Sequence, residues 1–484
     1  MSQASIALNR FGLGARPDES APENPQHWLM DQLDRFDPRP TAIAGAPTTA
    51  TVAADLAGFY LEQRQLRQDK FGPAAPNPAP SAMGVPTAMA STPRDAAMQA
   101  RQAAQRVQQG HYATSVAARA TATLDTPTPF VERLVHFWAN HFAVSADKLE
   151  VVGLAGPFEF EAVRPHVLGR FGDMLAAVER HPAMLFYLDQ AGSVGPDSPL
   201  GSRAAARGRS LGLNENLARE IIELHTLGVG TGYAQADVTE FARALTGWTV
   251  DGIAQGPAAR FADGAPGRFL FAPALHQPGE RTVVGKRYAE GGEAQAQAVL
   301  ADLAVHPTTA RHIATKLARH FAGDAPPAAI VARLEAAFLR SGGDLPTVYR
   351  ALVASPEAWT PGPVKFRTPW EWSLAVMRAL GTRTVQPGAV TGLLTQLGQP
   401  VWRPGAPAGY DDIAASWAGP DAVLRRVEAA ERLATRAGPV DARTLAPTLF
   451  PAALSPATAQ AIERAESPGQ ALALLLVSPD MMRR

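Results

Sequence analysis

The chain has 484 residues, of which 46% are hydrophobic, so it is long enough to bury one or more sizeable cores. Lysine plus arginine and aspartate plus glutamate each number 45, so the basic surplus of a typical nucleic-acid-binding protein is absent, and no stretch reaches the roughly 18 apolar residues of a membrane span. The absence of cysteine excludes disulfides, thiolate zinc sites, iron–sulfur clusters and a cysteine nucleophile.

The N-terminal part of the chain predicts helices followed by one long loop. Residues 1–71 form a helical segment that begins without the basic and apolar regions of a signal peptide, so we expect a cytoplasmic protein. Residues 72–93 are rich in proline and alanine and almost free of charge, which predicts a flexible loop outside any core.

Residues 94–380 predict a main helical domain with a small β-insertion. Within it, residues 251–292 change to a strand-like pattern, and we expect one β-hairpin near 266–288 with His276 at its tip. Residues 381–484 begin as a glycine- and proline-rich loop and continue as helices that pack on the main domain. Recurring His-Pro and Ser-Pro helix starts predict stacked antiparallel helices, so the fold class is mostly α.

One polar stripe lies on the helix predicted for TPFVERLVHFWANHF. Glu132, His136 and Asn140 follow each other at four-residue intervals and share a helix face, opposite an apolar face. His141 falls among the apolar residues and is interpreted as a core histidine bonded to a backbone carbonyl. The stripe is richer in histidine and asparagine than a solvated helix face requires, which favours a site or a buried network.

A second polar stripe lies on NENLAREIIELHTLGVG, which we expect to end at Gly228. Asn216, Glu220 and Glu223 share a face with Arg219 beside them. Two glutamates on one face suit an acid–base pair if burial separates their pKa values. The alternative is a solvated face that carries an Arg219–Glu223 ion pair.

The next helix and the predicted hairpin add further candidates. Arg243 lies on the polar side of AQADVTEFARALTGW, and Trp248 follows directly with a ring on which a substrate could stack. His276 is either delivered to a site by the hairpin tip or is a turn residue. His306, His312 and His320 are interpreted as ordinary helix residues.

No motif for a nucleophile elbow, a phosphate loop or a dinucleotide fold is present, so no cofactor is implied. In chain order the sequence contains ALNRFGLGARPDE, ERLVHFWANHFAVS, NENLAREIIELHTLGVGTGYAQADVTEFARALTGW, HQPGERTVVGK, ARHIATKLARHF, SGGDLPTVYRALVASPEAW and KFRTPWEW. Across nearly its whole length the chain resembles the bacterial domain of unknown function 1800 family.

The resemblance implies a mostly helical bacterial protein and supplies no established reaction and no catalytic residues. It also implies a partner, since members are commonly encoded beside a protein of the domain of unknown function 1501 family. That family resembles sulfatases and alkaline phosphatases and often carries a twin-arginine export signal, so export together with this partner is a further hypothesis.

Three functions remain open from the sequence. The first is a hydrolase acting on a polar, glycan-like substrate, with Glu220, Glu223 and His136 as catalytic residues. Its substrate would be bound by Asn140, Asn216, Arg219, Arg243, Trp248 and His276. The second is a non-catalytic scaffold or partner protein whose polar stripes are buried networks. The third is a metal-dependent oxidase or hydrolase that binds a divalent metal through His136, Glu220, Glu223 and His225, although their spacing fits no known metal motif.

Overall fold

The computed structural model describes residues 2–71 and 93–484, and it confirms the mostly α fold class. Apart from Pro93, the predicted loop at 72–93 lies outside the described residues. Within the described ranges, no helix is long and apolar enough to cross a membrane.

The α-helices of the first half of the chain are α1 (Gln3–Ile6), α2 (Pro25–Arg35), α3 (Thr41–Ala44), α4 (Thr49–Phe71), α5 (Pro93–Asp125), α6 (Pro129–His141), α7 (Leu149–Val152), α8 (Ala155–Pro157), α9 (Phe171–Glu179), α10 (Pro182–Tyr187), α11 (Pro199–Ala205), α12 (Asn216–Glu220) and α13 (Gln235–Leu245). Those of the second half are α14 (Glu293–Ala304), α15 (Pro307–Ala322), α16 (Ala328–Ser341), α17 (Leu345–Val353), α18 (Pro369–Ala379), α19 (Ala389–Gln396), α20 (Pro420–Arg436), α21 (Ala442–Leu449), α22 (Pro456–Glu463), α23 (Pro468–Leu476) and α24 (Pro479–Met482).

Three helices continue directly into wider π-helical turns, which are Ala7–Phe11 after α1, Phe158–Val163 after α8 and Ile221–Thr226 after α12. Short 3₁₀ turns connect other elements at Arg164–His166, Gln190–Gly192, Gly256–Arg260, Pro273–Leu275, Pro356–Trp359 and Ala414–Ser416.

The recurring X-Pro starts predicted from the sequence do begin helical turns. His181 and His306 cap α10 and α15 by accepting a backbone N–H through the imidazole, and Ser478 caps α24 through its hydroxyl. Proline occupies the first helical turn in each case, where its missing N–H costs nothing. The fourth start, Ser355, opens only the 3₁₀ turn and makes no side-chain cap.

The β-insertion contains two antiparallel pairs, β1 (Trp248–Val250) with β2 (Phe269–Phe271) and β3 (Arg281–Val283) with β4 (Lys286–Tyr288). The two strands expected to form one hairpin over 266–288 therefore belong to different pairs. The reason is local, because Val284 and Gly285 have φ of 48° and 73°, as a two-residue type I′ turn requires. This turn folds RTVVGKRY back on itself and leaves β2 to pair with β1.

Helix α18 connects two hydrophobic cores. Leu374 packs in the main core, while Trp372, Ala375 and Val376 on the same helix pack in a second core that contains α20 to α24. Because both sides of α18 are buried, its N-terminal end is held firmly next to α6 and α15. The candidate site lies where these three helix regions meet.

Candidate functional site

A cavity of about 370 Å³ lies between α6, α15, the start of α18 and the loop at 397–413. Its aromatic walls come from Phe137, Trp370, Trp402 and Tyr410. This volume and this lining are typical of a binding site for a small molecule.

Helix α15 presents a polar stripe to the cavity. His312, Lys316, Arg319 and His320 all line it and follow each other at helical spacing, while Ile313 and its apolar neighbours face the core. The sequence had suggested that His312 and His320 are ordinary helix residues, but both line the cavity. The stripe was visible in RHIATKLARHF as polar residues at i, i+4, i+7 and i+8.

The central contact of the cavity joins Lys316 to His141. Lys316 Nζ lies 2.9 Å from Nδ1 of His141, while Nε2 of His141 lies 3.2 Å from the carbonyl oxygen of His225. A carbonyl only accepts, so Nε2 carries the proton and Nδ1 accepts from the lysine. The bond to a carbonyl agrees with the interpretation of His141 as a core histidine, yet the ring also reaches the cavity.

Burial sets the protonation of this pair. Burial lowers the pKa of Lys316 to about 8, although the nearby charge of Asp412 opposes the shift. Burial and then the charge of Lys316 hold the pKa of His141 well below its usual range. At neutral pH the pair therefore holds its proton on the amine, close to the point of titration.

The backbone of the segment Asn214–Gly230 accepts hydrogen bonds from the side chains of His141 and His312. His312 Nε2 lies 3.2 Å from the carbonyl oxygen of Leu224, next to the His225 carbonyl that binds His141. These carbonyls lie near the end of the helical segment, where acceptors lack partners within the helix. Gly228 then takes a φ of 97°, in agreement with the predicted helix end.

The two enclosed carboxylates of the lining are held ionised. Burial alone would raise the pKa of Glu371, but Arg484 at 2.9 Å from its Oε1 and Arg133 on the same oxygen hold it well below the usual range. Burial alone would also raise the pKa of Asp412. His320 at 2.8 Å and Lys365 at 3.0 Å from this carboxylate instead keep its pKa below the ordinary value. Neither group carries a proton at neutral pH.

Arginines supply the remaining charge of the walls. The guanidinium carbon of Arg119 lies 4.2 Å from the ring centre of Trp370 and 5.3 Å from that of Trp402, and its Nε donates to Glu159. Arg319 makes no hydrogen bond or ion pair within residues 2–71 and 93–484, and its Nε is buried. It is a free cation at the cavity.

The first predicted stripe meets the cavity only in part. His136 lies in the wall, where Nδ1 accepts from the Trp370 indole at 3.3 Å and Nε2 lies 3.1 Å from the Thr123 hydroxyl. Burial holds the pKa of His136 well below its usual range, so the ring is neutral and fully bonded. Glu132 turns away and binds Arg164 at 2.7 Å in the core.

Asn140, from the same stripe, holds the loop that covers the cavity. Its amide nitrogen donates to the Tyr410 carbonyl oxygen and its amide oxygen accepts the Tyr410 N–H, both at 2.8 Å. Gly409 comes so close that an added Cβ would lie 2.3 Å from the Asn140 carbonyl oxygen, and its φ is 79°. Glycine is therefore required at this point of the loop.

The second predicted stripe lies beside the cavity and does not contribute to the lining that the described residues form. Arg219 bridges Glu215 at 3.2 Å and Glu223 at 3.4 Å, which is the partly exposed ion-pair arrangement considered from the sequence. Glu220 is half-buried, which raises its pKa, and Asn216 is exposed.

The candidates from the β-insertion also lie outside the lining formed by the described residues. Trp248 is fully buried in β1, with Phe269 edge-on at 5.1 Å, so its ring is covered by protein. His276 is buried as well, because its segment passes between the two strand pairs, and its Nδ1 lies 2.9 Å from the Thr246 carbonyl oxygen. Arg243 pairs with Glu240.

The residues considered for a metal do not meet in one place. In the described part of the chain, no group of three or more histidine, aspartate or glutamate residues is arranged to hold a metal ion. Of the four candidates, His136 lines the cavity, whereas His225 is buried with Nδ1 at 2.7 Å from Glu179.

Comparison with known proteins identifies the family. Residues 6–483 match the family model described as a protein of unknown function (DUF1800). No curated protein and no solved structure matches the chain. Because the match covers nearly the whole length and agrees with the resemblance of the sequence motifs, the chain belongs to the DUF1800 family.

Proposed function

We propose that the chain is an enzyme that moves a proton to or from a small substrate in this cavity, with Lys316 as the acid and base. One observation carries the proposal: Lys316 Nζ reaches the cavity while bonded at 2.9 Å to the neutral His141. Both a free amine and an ammonium ion are available to such a lysine near physiological pH.

The pair suits proton transfer for two reasons. An acid–base group works best when its pKa lies near the working pH, and burial brings the pKa of Lys316 to about 8. The Nε2–H of His141 is held by the His225 carbonyl, so the Nδ1 lone pair stays directed at the amine and orients it. As a base, the neutral amine takes a substrate proton and becomes ammonium; as an acid, the ammonium returns it.

The carboxylates of the cavity favour lysine as the acid. Glu371 pairs with two arginines, and Asp412 pairs with Lys365 and His320, which keep both carboxyl pKa values low, so both groups are ionised and lack a proton to donate. Hydrolysis through Glu220 and Glu223 remains a prediction from the sequence. It receives less support, because both glutamates lie outside the lining formed by the described residues.

The test is proton exchange followed by NMR. The protein is incubated in D₂O with a panel of small organic acids and carbonyl compounds, and the loss of substrate proton signals is measured. We expect exchange with the wild type and none with Lys316→Met, whose melting temperature should change little because an apolar side chain replaces a buried charge. Lys286→Met removes an exposed lysine and serves as the control.

The result can also contradict the proposal. Exchange that persists in Lys316→Met would overturn it. Exchange that is lost in Glu220→Gln but retained in Lys316→Met would favour the carboxylate hydrolase instead.

The second candidate is a non-catalytic partner of a protein of the domain of unknown function 1501 family. It is supported by the internal pairing of Glu132, His136 and Asn140, whose polar atoms bind other parts of the chain. Co-expression tests it: a structural partner should raise the yield of the folded second protein, and Lys316→Met should leave that effect unchanged.

A further inference from the structure

We infer that the ligand of this cavity is a small organic anion with a flat apolar body, and that Arg319 binds its charged group. The inference rests on the proposed function for the location of the site and adds the chemical class of the substrate. It is supported by the bonding of the walls, the charge around the cavity and its shape.

The hydrogen-bonding groups of the walls are mostly used within the protein. The indole N–H groups of Trp370 and Trp402 donate to His136 and Glu159, and the Tyr410 hydroxyl donates to the Pro400 carbonyl. These aromatic residues therefore offer a ligand apolar surface and no free donor. The Asn140 amide oxygen and one of its N–H groups are likewise used, because both bind the backbone of Tyr410.

Arg319 is the exception among these wall groups. Its guanidinium has no partner in residues 2–71 and 93–484, and burial of its Nε leaves a donor without an acceptor. It lies close enough to Lys316 for its charge to depress the pKa of that amine. An unpaired guanidinium beside an ammonium group binds carboxylate or phosphate in preference to any neutral group.

The charge around the cavity favours an anion as well. Of the four cations in the lining, Arg119 pairs with Glu159 and Arg133 with Glu371, which leaves Lys316 and Arg319 without an acidic partner among the described residues. The acids of the lining are Glu371 and Asp412, which are already neutralised by pairs, and Asp411, which is exposed at the rim and accepts from the Ser416 hydroxyl at 2.7 Å.

Further positive charge lies behind Glu371. Arg484 and Arg367 are fully buried there, and burial together with the charge of Arg133 lowers the pKa of Arg367 to about 9. Arg367 donates to the Asn9 side chain and the Met481 carbonyl, which carry no opposing charge. Arg367 is therefore a buried cation without an acidic hydrogen-bond partner, and its charge favours an anion in the neighbouring cavity.

The size and lining define the rest of the ligand. A cavity of about 370 Å³ with two indole rings accommodates an aromatic or short aliphatic body of modest size. Arginine recognises both carboxylate and phosphate, so the anionic group itself is distinguished by experiment.

Isothermal titration calorimetry on the intact protein tests the inference with three small phenyl compounds of similar shape. We expect sodium phenylacetate or phenyl phosphate to bind, and neutral phenylacetamide to bind at least about tenfold more weakly. The stronger of the two anions identifies the charged group. Equal binding of phenylacetamide and the anions, or no binding by either anion, would overturn the inference.

Two variants locate the anion site. Arg319→Gln should weaken anion binding by about tenfold or more, because it removes a charge-assisted contact. Arg311→Gln changes an exposed arginine of the same helix, paired with Glu335, and should leave the affinity unchanged. Equal affinities of the two variants would overturn the assignment to Arg319.

The outcomes also separate this inference from the proposed function. Anion binding without any proton exchange would overturn the proposed function and support the anion site. Proton exchange confined to uncharged compounds would overturn the anion inference and support the function.

Discussion

Lys316 Nζ and His141 Nδ1 are 2.9 Å apart at the wall of the cavity, although the two residues lie on different helices. The contact has one direction only, because Nε2 of His141 is bound to the His225 carbonyl and Nδ1 can act only as acceptor. The lysine therefore carries the mobile proton of the pair.

Glu371 stabilises the framework next to the cavity. Replacing it by Gln leaves Arg133 and Arg484 buried without an opposing charge, while the amide can still accept from the Thr368 N–H. We expect the free energy of unfolding to fall by about 3–5 kcal/mol, measured by urea denaturation.

The control for Glu371 is Glu280→Gln, which removes an exposed carboxylate paired with the exposed Arg287. It should leave the unfolding midpoint unchanged. Equal midpoints for Glu371→Gln and the wild type would show that the buried ion pairs contribute nothing to stability.

His181 should make the protein less stable in mild acid. Burial lowers its pKa to about 3, whereas a histidine in an unfolded chain has a pKa of about 6.5. Between these values the unfolded chain binds a proton that the folded protein does not, so stability falls as pH decreases through this window.

The substitution His181→Asn keeps a side-chain acceptor for the Ala183 N–H at the start of α10 but removes the titration. The slope of stability against pH between about pH 6.5 and about pH 4 should decrease by up to about 1.4 kcal/mol per pH unit. Unfolding curves at several pH values measure it, and the exposed His27→Asn is the control. An unchanged slope in His181→Asn would contradict the buried, neutral state of this histidine.

Asn140 should control the loop over the cavity. Asn140→Ala removes both bonds to the Tyr410 backbone, which should destabilise the loop by about 1–3 kcal/mol. Amide hydrogen exchange should then accelerate in residues 399–413 and remain unchanged in α20.

The exposed Asn216→Ala is the matched control for this loop. It should leave exchange at 399–413 as in the wild type. Equal protection of the loop in Asn140→Ala and Asn216→Ala would mean that the loop is held by its other contacts.

Helical periodicity predicted much of the fold and two polar residues of the cavity wall. The stripe on α6 places His136 and Asn140 at the cavity, as their spacing suggested, and the same rule applied to RHIATKLARHF would have found Lys316. What periodicity cannot show is which two stripes face each other. Residues 141 and 316 are brought together by packing across the whole main core, and no local pattern encodes that pairing.

The loop that closes the cavity could not be predicted for a similar reason. Its position depends on distant side chains, such as the Tyr112 hydroxyl that donates to the Val401 carbonyl at 2.6 Å and the Asn140 amide. The polar side chains of the segment Asn214–Gly230 predicted a direct role in the site, but the segment contributes through its backbone instead. Its contact with the site is made by the carbonyls of Leu224 and His225, which any sequence could supply.

Reactivity of the individual lysines against pH tests the central claim most directly. The chain has only five lysines, so modification by a small acylating reagent can be followed at each one by mass spectrometry. We expect Lys316 to be modified fastest near neutral pH, with a midpoint at about 8, and to be protected by any anion that binds the cavity. Modification of Lys316 no faster than that of the exposed Lys286 at every pH would contradict the account.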